Sequence, residues 1–151
     1  MALVNTEETA LLDFYNGKTS HGLSVPTTAW YGLHLGATPP NKDTGTGVNE
    51  PTEANYARIQ QTLSTFWAPA TGGDPTDSQS NINMQWAVTA AAYSDDIYYI
   101  LEFATETANT FRRSFKLATP ATIGSGDRAF ISAGNLVAEF GDDGDTFGET
   151  S

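Results

Sequence analysis

The chain has 151 residues, no cysteine, and 18 acidic against seven basic side chains, for a net charge of −11. That length suffices for one domain with a real core, and the lack of cysteine excludes disulfides and thiolate chemistry. The acidic balance excludes the basic footprint of a nucleic-acid binder and disfavours anionic membrane surfaces.

Fourteen glycines, seven prolines and only 17% charged residues favour a turn-rich β architecture over a helical bundle. No apolar run approaches the ~20 residues of a membrane span. The N-terminus lacks a basic n-region, so no secretory signal is expected and the protein should stay where it is made or leave by lysis.

In chain order, Asn5 or Thr6 caps a helix over about residues 6–16, with Glu7 and Glu8 in the first turn. Leu11, Leu12 and Tyr15 form its apolar stripe, and Gly17 stands at the C′ position. Such a helix docks on a sheet. Thr28 to Leu35 is the first strand, with Tyr31, Leu33 and Leu35 on one face and Trp30, Gly32 and His34 on the other. Ala37 to Glu53 has no periodicity and is expected to be a surface loop. Tyr56 to Leu63 is a second strand, and Phe66-Trp67 opens a loop while plugging the edge of the core.

From Ile82 to Leu117 the pattern predicts an antiparallel meander. Ile82, Met84, Trp86 and Val88 alternate with polar or small residues, which describes a half-buried strand. Ser94-Asp95-Asp96 has turn chemistry. Ile97 to Phe103 is apolar on both faces and reads as a central strand. Phe111, Arg113, Phe115 and Leu117 then alternate with Arg112, Ser114 and Lys116, giving a strand with a basic outer face. Ala118 to Gly126 reads as a loop, Arg128 to Ser132 as a short strand, and Leu136 to Phe140 as a closing strand after a tight turn at Ala133-Gly134-Asn135. Residues 1–140 thus form a single β domain. Residues 141–151 form an acidic, glycine-rich tail, expected to stay mobile unless a partner orders it.

Catalytic chemistry has little to work with. No G-x-S-x-G, phosphate-cradling loop or dinucleotide fingerprint occurs. His21 and His34 are the only histidines, and neither lies in a spaced metal motif. Asp142, Asp143 and Asp145 have ligand chemistry for a hard cation, but their spacing departs from the EF-hand pattern and no closing bidentate Glu follows. A solvated acidic tail is the better reading, and Asp95-Asp96 is a turn signal first. The expectation is therefore no enzyme, no catalytic residue, no cofactor and no metal. Arg112, Arg113 and Lys116 place three of the seven basic residues on one short strand, where they stand as candidate contacts to an acidic partner, level with an ordinary wet sheet face. Trp30, Trp67 and Tyr98 are candidates to stack on sugar rings, although core and edge packing is the commoner use of aromatics.

The pieces, in order, resemble a family of small tailed-phage structural proteins of tail-fibre-like or head-decoration type. Residues 6–17, ending in Leu11-Leu12-Asp13-Phe14-Tyr15-Asn16-Gly17, are similar to its opening helix. Trp30-Tyr31-Gly32-Leu33-His34-Leu35, Gly45-Thr46-Gly47-Val48, Asn55-Tyr56-Ala57-Arg58, and the run from Leu117 through Pro120, Gly126-Asp127 and Phe130 to Ala133-Gly134-Asn135-Leu136 are similar to its later segments.

This resemblance spans about residues 6–140. It implies an all-β domain, an antiparallel sandwich or jelly-roll-like fold with a short N-terminal helix. It also implies a virion protein made in the host bacterial cytoplasm and seated on the outer head. There it would act as a cement protein, a homotrimer bridging major capsid protein subunits, with no nucleic-acid or membrane partner. A tail, tail-fibre or baseplate component is the alternative, and a host-glycan-binding module a second.

Overall fold

The computed structural model describes residues 5–18, 26–71 and 76–140. Helix α1 (Asn5–Tyr15) stops where Gly17 takes a φ of 73°. There the Lys18 N–H reaches the Asp13 carbonyl and the Gly17 N–H reaches that of Phe14, the paired bonds of a Schellman cap. Leu12 is the side chain this helix buries completely, while Tyr15 is 39% exposed, so the apolar stripe is narrower than expected. The side chains of the first turn, and with them the capping roles of Asn5 and Thr6, lie outside the described residues.

The strands are β1 (Thr28–Leu35), β2 (Ile59–Thr62), β3 (Thr76–Gln79), β4 (Met84–Gln85), β5 (Ile97–Phe103), β6 (Phe111–Ala121), β7 (Phe130–Ile131) and β8 (Val137–Phe140). A single helical turn, α2 (Leu63–Phe66), follows β2. The fold is all-β with a short N-terminal helix: an antiparallel four-stranded sheet of order β2-β1-β5-β6, with two-stranded ribbons β3–β8 and β4–β7.

The two ribbons are parts of one arm. Thr76 lies opposite Phe140, and Met84 opposite Ile131. Backbone bonds from Ser80 N–H to the Leu136 carbonyl, Trp86 to Ala129, Thr89 to Asp127 and Tyr93 to Ile123 carry the pairing between and beyond them. At Ile97 opposite Ala121 the same two segments become the β5–β6 hairpin. Residues 76–140 are therefore one long hairpin bent back over itself. Turn residues make the bend: the Asp95 carboxylate accepts the Asp96 N–H at 2.8 Å, and the Thr122 hydroxyl donates to the Asp96 carboxylate at 2.6 Å.

Between the layers lies the main core. The sheet contributes Tyr31, Leu33, Leu35, Ile97, Ile100 and Phe115, the arm contributes Met84, Trp86, Ala129, Leu136 and Ala138, and Leu12, Phe66 and Trp67 close one end. A large apolar side chain buried in this way contributes about 1.5–3 kcal/mol. On the other face of the sheet, Tyr99, Leu101, Phe103 and Phe111 form a smaller cluster, against which Trp30, Val48, Tyr98 and Ala108 pack.

The meander predicted over Ile82 to Leu117 is corrected. Its last two strands pair, but Ile82–Val88 contributes only β4, which joins β7 instead of β5. Alternation defines two faces and does not choose a partner, and the turn after Tyr93 bends the chain between layers where the meander needs a reversal within one sheet. Ile82 and Val88 consequently remain 40% and 38% exposed. Ala118–Ala121, predicted as loop, extends β6 despite Pro120, because β6 is an edge strand and needs no outward N–H. The Ala37–Glu53 segment is irregular but not loose. It closes on β1 through the Leu35 N–H to the Asn49 carbonyl, and Pro51 within it is buried.

Candidate functional site

Two arginine–carboxylate centres sit on opposite faces of the sheet. The first is inside. Glu102, the one carboxylate of β5, lies between Tyr31 of β1 and Arg113 of β6 in the antiparallel register. Its Oε2 accepts the Tyr31 hydroxyl at 2.6 Å and Arg113 Nη2 at 2.5 Å, and its Oε1 accepts Arg113 Nε at 3.2 Å. Arg113 Nη1 donates to the Asn16 Oδ1 at 2.7 Å, tying the end of α1 to the sheet. The Trp67 indole N–H donates to the Tyr31 oxygen at 3.2 Å, and the guanidinium stands 4.9 Å from the Trp67 ring. Burial, and then the negative Glu102, hold the Tyr31 hydroxyl well above its ordinary pKa. Burial opposes the charge on Arg113, but Glu102 and Tyr31 overcome it and its pKa is raised. This centre is a structural bolt: at 0% exposure Glu102 meets no solute.

The second centre faces outward. Glu50 and Arg58 form a two-pronged pair, with Nη2 to Oε2 at 2.6 Å and Nε 3.1 Å from both oxygens. The Tyr56 hydroxyl donates to Glu50 Oε1 at 2.6 Å and accepts the Leu33 N–H at 2.9 Å. Burial and the neighbouring Glu50 raise the Tyr56 pKa far beyond its usual value. Arg58 Nη1 reaches the carbonyls of Glu106 at 2.8 Å and Ala108 at 2.9 Å, and its guanidinium lies 3.3 Å from the centre of the Phe103 ring. Gly32 permits this approach, because a Cβ there would meet the Glu50 carboxylate and the Phe103 ring. The pair thus clips the loop before β2 to the β5–β6 turn. An open polar cleft of about 470 Å³ lies over it, lined by Thr44, Thr46, Val48, Glu50, Arg58 and Asn109.

His34 is buried beside these loops. Its Nε2–H donates to the Thr38 carbonyl at 3.0 Å, and its Nδ1 accepts the Asn49 N–H at 3.1 Å. Burial lowers its pKa. It packs, as expected of a lone strand histidine.

The candidate partner contacts divide. Arg113 and Trp67 are corrected: both are buried, Arg113 because it neutralises Glu102 and Trp67 because it roofs that pair, so neither reaches a partner. Lys116 lies on the opposite face of β6, across from Tyr99, whereas Arg112 is the extra residue of a β-bulge beside Arg113. Lys116 is exposed, and Arg112 is partly covered, its Nε 3.8 Å from Glu102 Oε1. Trp30 and Tyr98 are half-buried against the smaller cluster. The sequence-based reading missed Glu102, Glu50 and Arg58. Glu102 left a signal, since a lone carboxylate in an apolar strand beside an arginine on an apolar face calls for a buried pair. Glu50 and Arg58 left none, because their pairing depends on how an irregular loop folds.

Among the described residues no three His, Cys, Asp or Glu side chains gather into a metal site, and no helix is long and apolar enough to cross a membrane. His21 and the Asp142, Asp143 and Asp145 group lie outside the described residues. Against known proteins, the family described as Podophage GP4 fiber I protein gp80 matches residues 2–139. No curated protein matches. The chain belongs to that family and is a phage virion structural protein.

Proposed function

We propose that this member of the podophage fibre I family is a fibre component of the virion, which works by assembly and adhesion and not by catalysis. The observation that carries this reading is the family match over residues 2–139. The geometry is consistent with it: the charged centres are consumed in bolting layers and loops together, and the exposed features are a loop-built cleft and an apolar arm. Binding surfaces carried on loops over a rigid sheet are a general arrangement for recognition. The head-decoration role, bridging major capsid subunits, has no comparable support and stands as the second reading, with outer-head location and a three-fold homotrimer as its consequences.

Shearing virions, separating heads from tails and quantifying the protein in each by mass spectrometry tests the assignment. The fibre reading expects few copies, all in the tail fraction. Many copies on heads would overturn it in favour of decoration.

A further inference from the structure

The cleft over Glu50 and Arg58 holds about 470 Å³, within the roughly 300–1,000 Å³ of small-molecule sites, yet polar groups line it where such sites are mostly apolar. Its walls are set before any ligand arrives. The Asn41 side-chain oxygen accepts the N–H groups of Asp43 and Thr44 at 3.0 and 2.9 Å, and the Asn41 N–H reaches the Thr46 carbonyl at 2.8 Å. Gly45, at a φ of 70°, lets this loop lie directly on the β5–β6 turn, since a Cβ there would collide with the Asn109 carbonyl. The loop that carries Thr44 and Thr46 is thereby fixed against the turn that carries Asn109, and a site held in shape beforehand loses less entropy on binding.

The groups left over define the ligand. The Thr44 and Thr46 hydroxyls share a single hydrogen bond at 2.9 Å, so one of their two protons remains to donate. The exposed Asn109 side-chain amide, with donors and an acceptor, has no hydrogen-bond partner among the described residues. Glu50 and Arg58 have already neutralised each other, so the lining carries no net charge. Val48 adds an apolar patch. The chain's net charge of −11 repels an anion, and a hydrophobic ligand would leave these polar groups without partners. A neutral polyol meets both conditions, because each of its hydroxyls both donates and accepts. We propose that the cleft binds a neutral saccharide, with Asn109 and the threonine hydroxyls bonding its ring hydroxyls and Val48 against its C–H face. No stacking ring takes part: Trp30 and Tyr98 are half-buried, and Trp67 is fully so. The biological target rests on the fibre reading, under which the saccharide belongs to the host cell surface.

A glycan array probed with the full chain tests this. It carries neutral hexose, deoxyhexose and N-acetylhexosamine oligosaccharides, their acidic counterparts, and polysaccharide released from host cells. The expected result is binding to neutral members that persists at raised salt. Asn109→Ala and Thr46→Val, both at exposed positions, should each weaken it roughly three- to tenfold, the loss of one hydrogen bond, while Lys116→Ala binds as the wild type does. No binding, binding confined to acidic glycans, or binding unaltered in both cleft variants would overturn the proposal. The fibre reading is decided separately, by the head and tail fractions. A chain that sits in tails but binds no neutral saccharide loses this site alone, and a chain that binds one but sits on heads keeps the site and loses the host cell as its target.

Discussion

Glu102–Arg113 and Glu50–Arg58 are the same chemical pair in two settings. Both arginines grip their carboxylate with two nitrogens, and both lie against aromatic rings. The inner pair is closed on every side, with side-chain exposures of 2% and 0%. The outer pair keeps 11% and 19% and lines a cleft. The inner pair joins helix, sheet and the Trp67 segment, and the outer one joins two loops. Their difference separates what the fold requires from what a surface can use.

Breaking the inner pair should have the largest effect. Glu102→Gln or Arg113→Met alone is expected to lower stability by about 3–5 kcal/mol in urea unfolding, since either leaves the partner buried without compensation. The double Glu102→Leu/Arg113→Met chain should recover most of that loss, and a double-mutant cycle gives the coupling. Additive losses would show that the two residues act separately.

At the outer pair, Arg58→Ala should cost about 2 kcal/mol, because water can partly replace the lost partners. Amide hydrogen exchange should then rise in residues 41–50 and 104–110 while β1 and β5 keep their protection. Uniform loosening of the sheet would mean that the clamp supports more than its loops. Gly32→Ala should act through the same centre at about 1–3 kcal/mol, by pushing its Cβ against Glu50 and Phe103.

A smaller effect belongs to His34. Its folded pKa is lowered, mainly by burial, so the unfolded chain takes up a proton first as pH falls. Its contribution is complete above the ordinary histidine value of about 6.5 and declines as pH drops from there through the lower folded value. The melting temperature should therefore fall more steeply between neutral and mildly acidic pH in the wild type than in His34→Gln. Parallel slopes would remove His34 from the account. Lys116→Ala, on the exposed face of β6, should stay within about 0.5 kcal/mol of the wild type.

These two centres also mark how far the sequence could be read. Thr28–Leu35 and Ile97–Phe103 have the predicted bounds, because period-two patterning and apolar runs are local signals. The Gly17 stop was equally local. Which strand pairs with which was not legible at Ile82–Val88, since its partner lies some 45 residues away and the deciding turn only bends the chain. Arg113 was placed correctly on the face of Phe115, but a β-bulge turns Phe111 to the other face, and the partner Glu102 belongs to another strand. Charge on an apolar face signals a buried pair, and that cue was available but unused. The Glu50–Arg58 clamp had no such cue.

The most direct test of the fibre assignment is a virion assembled without this chain. Electron microscopy should then show full, stable heads with fibre density missing, and adsorption to host cells should fall. Fragile or empty heads with fibres intact would contradict the account and return the protein to the capsid surface.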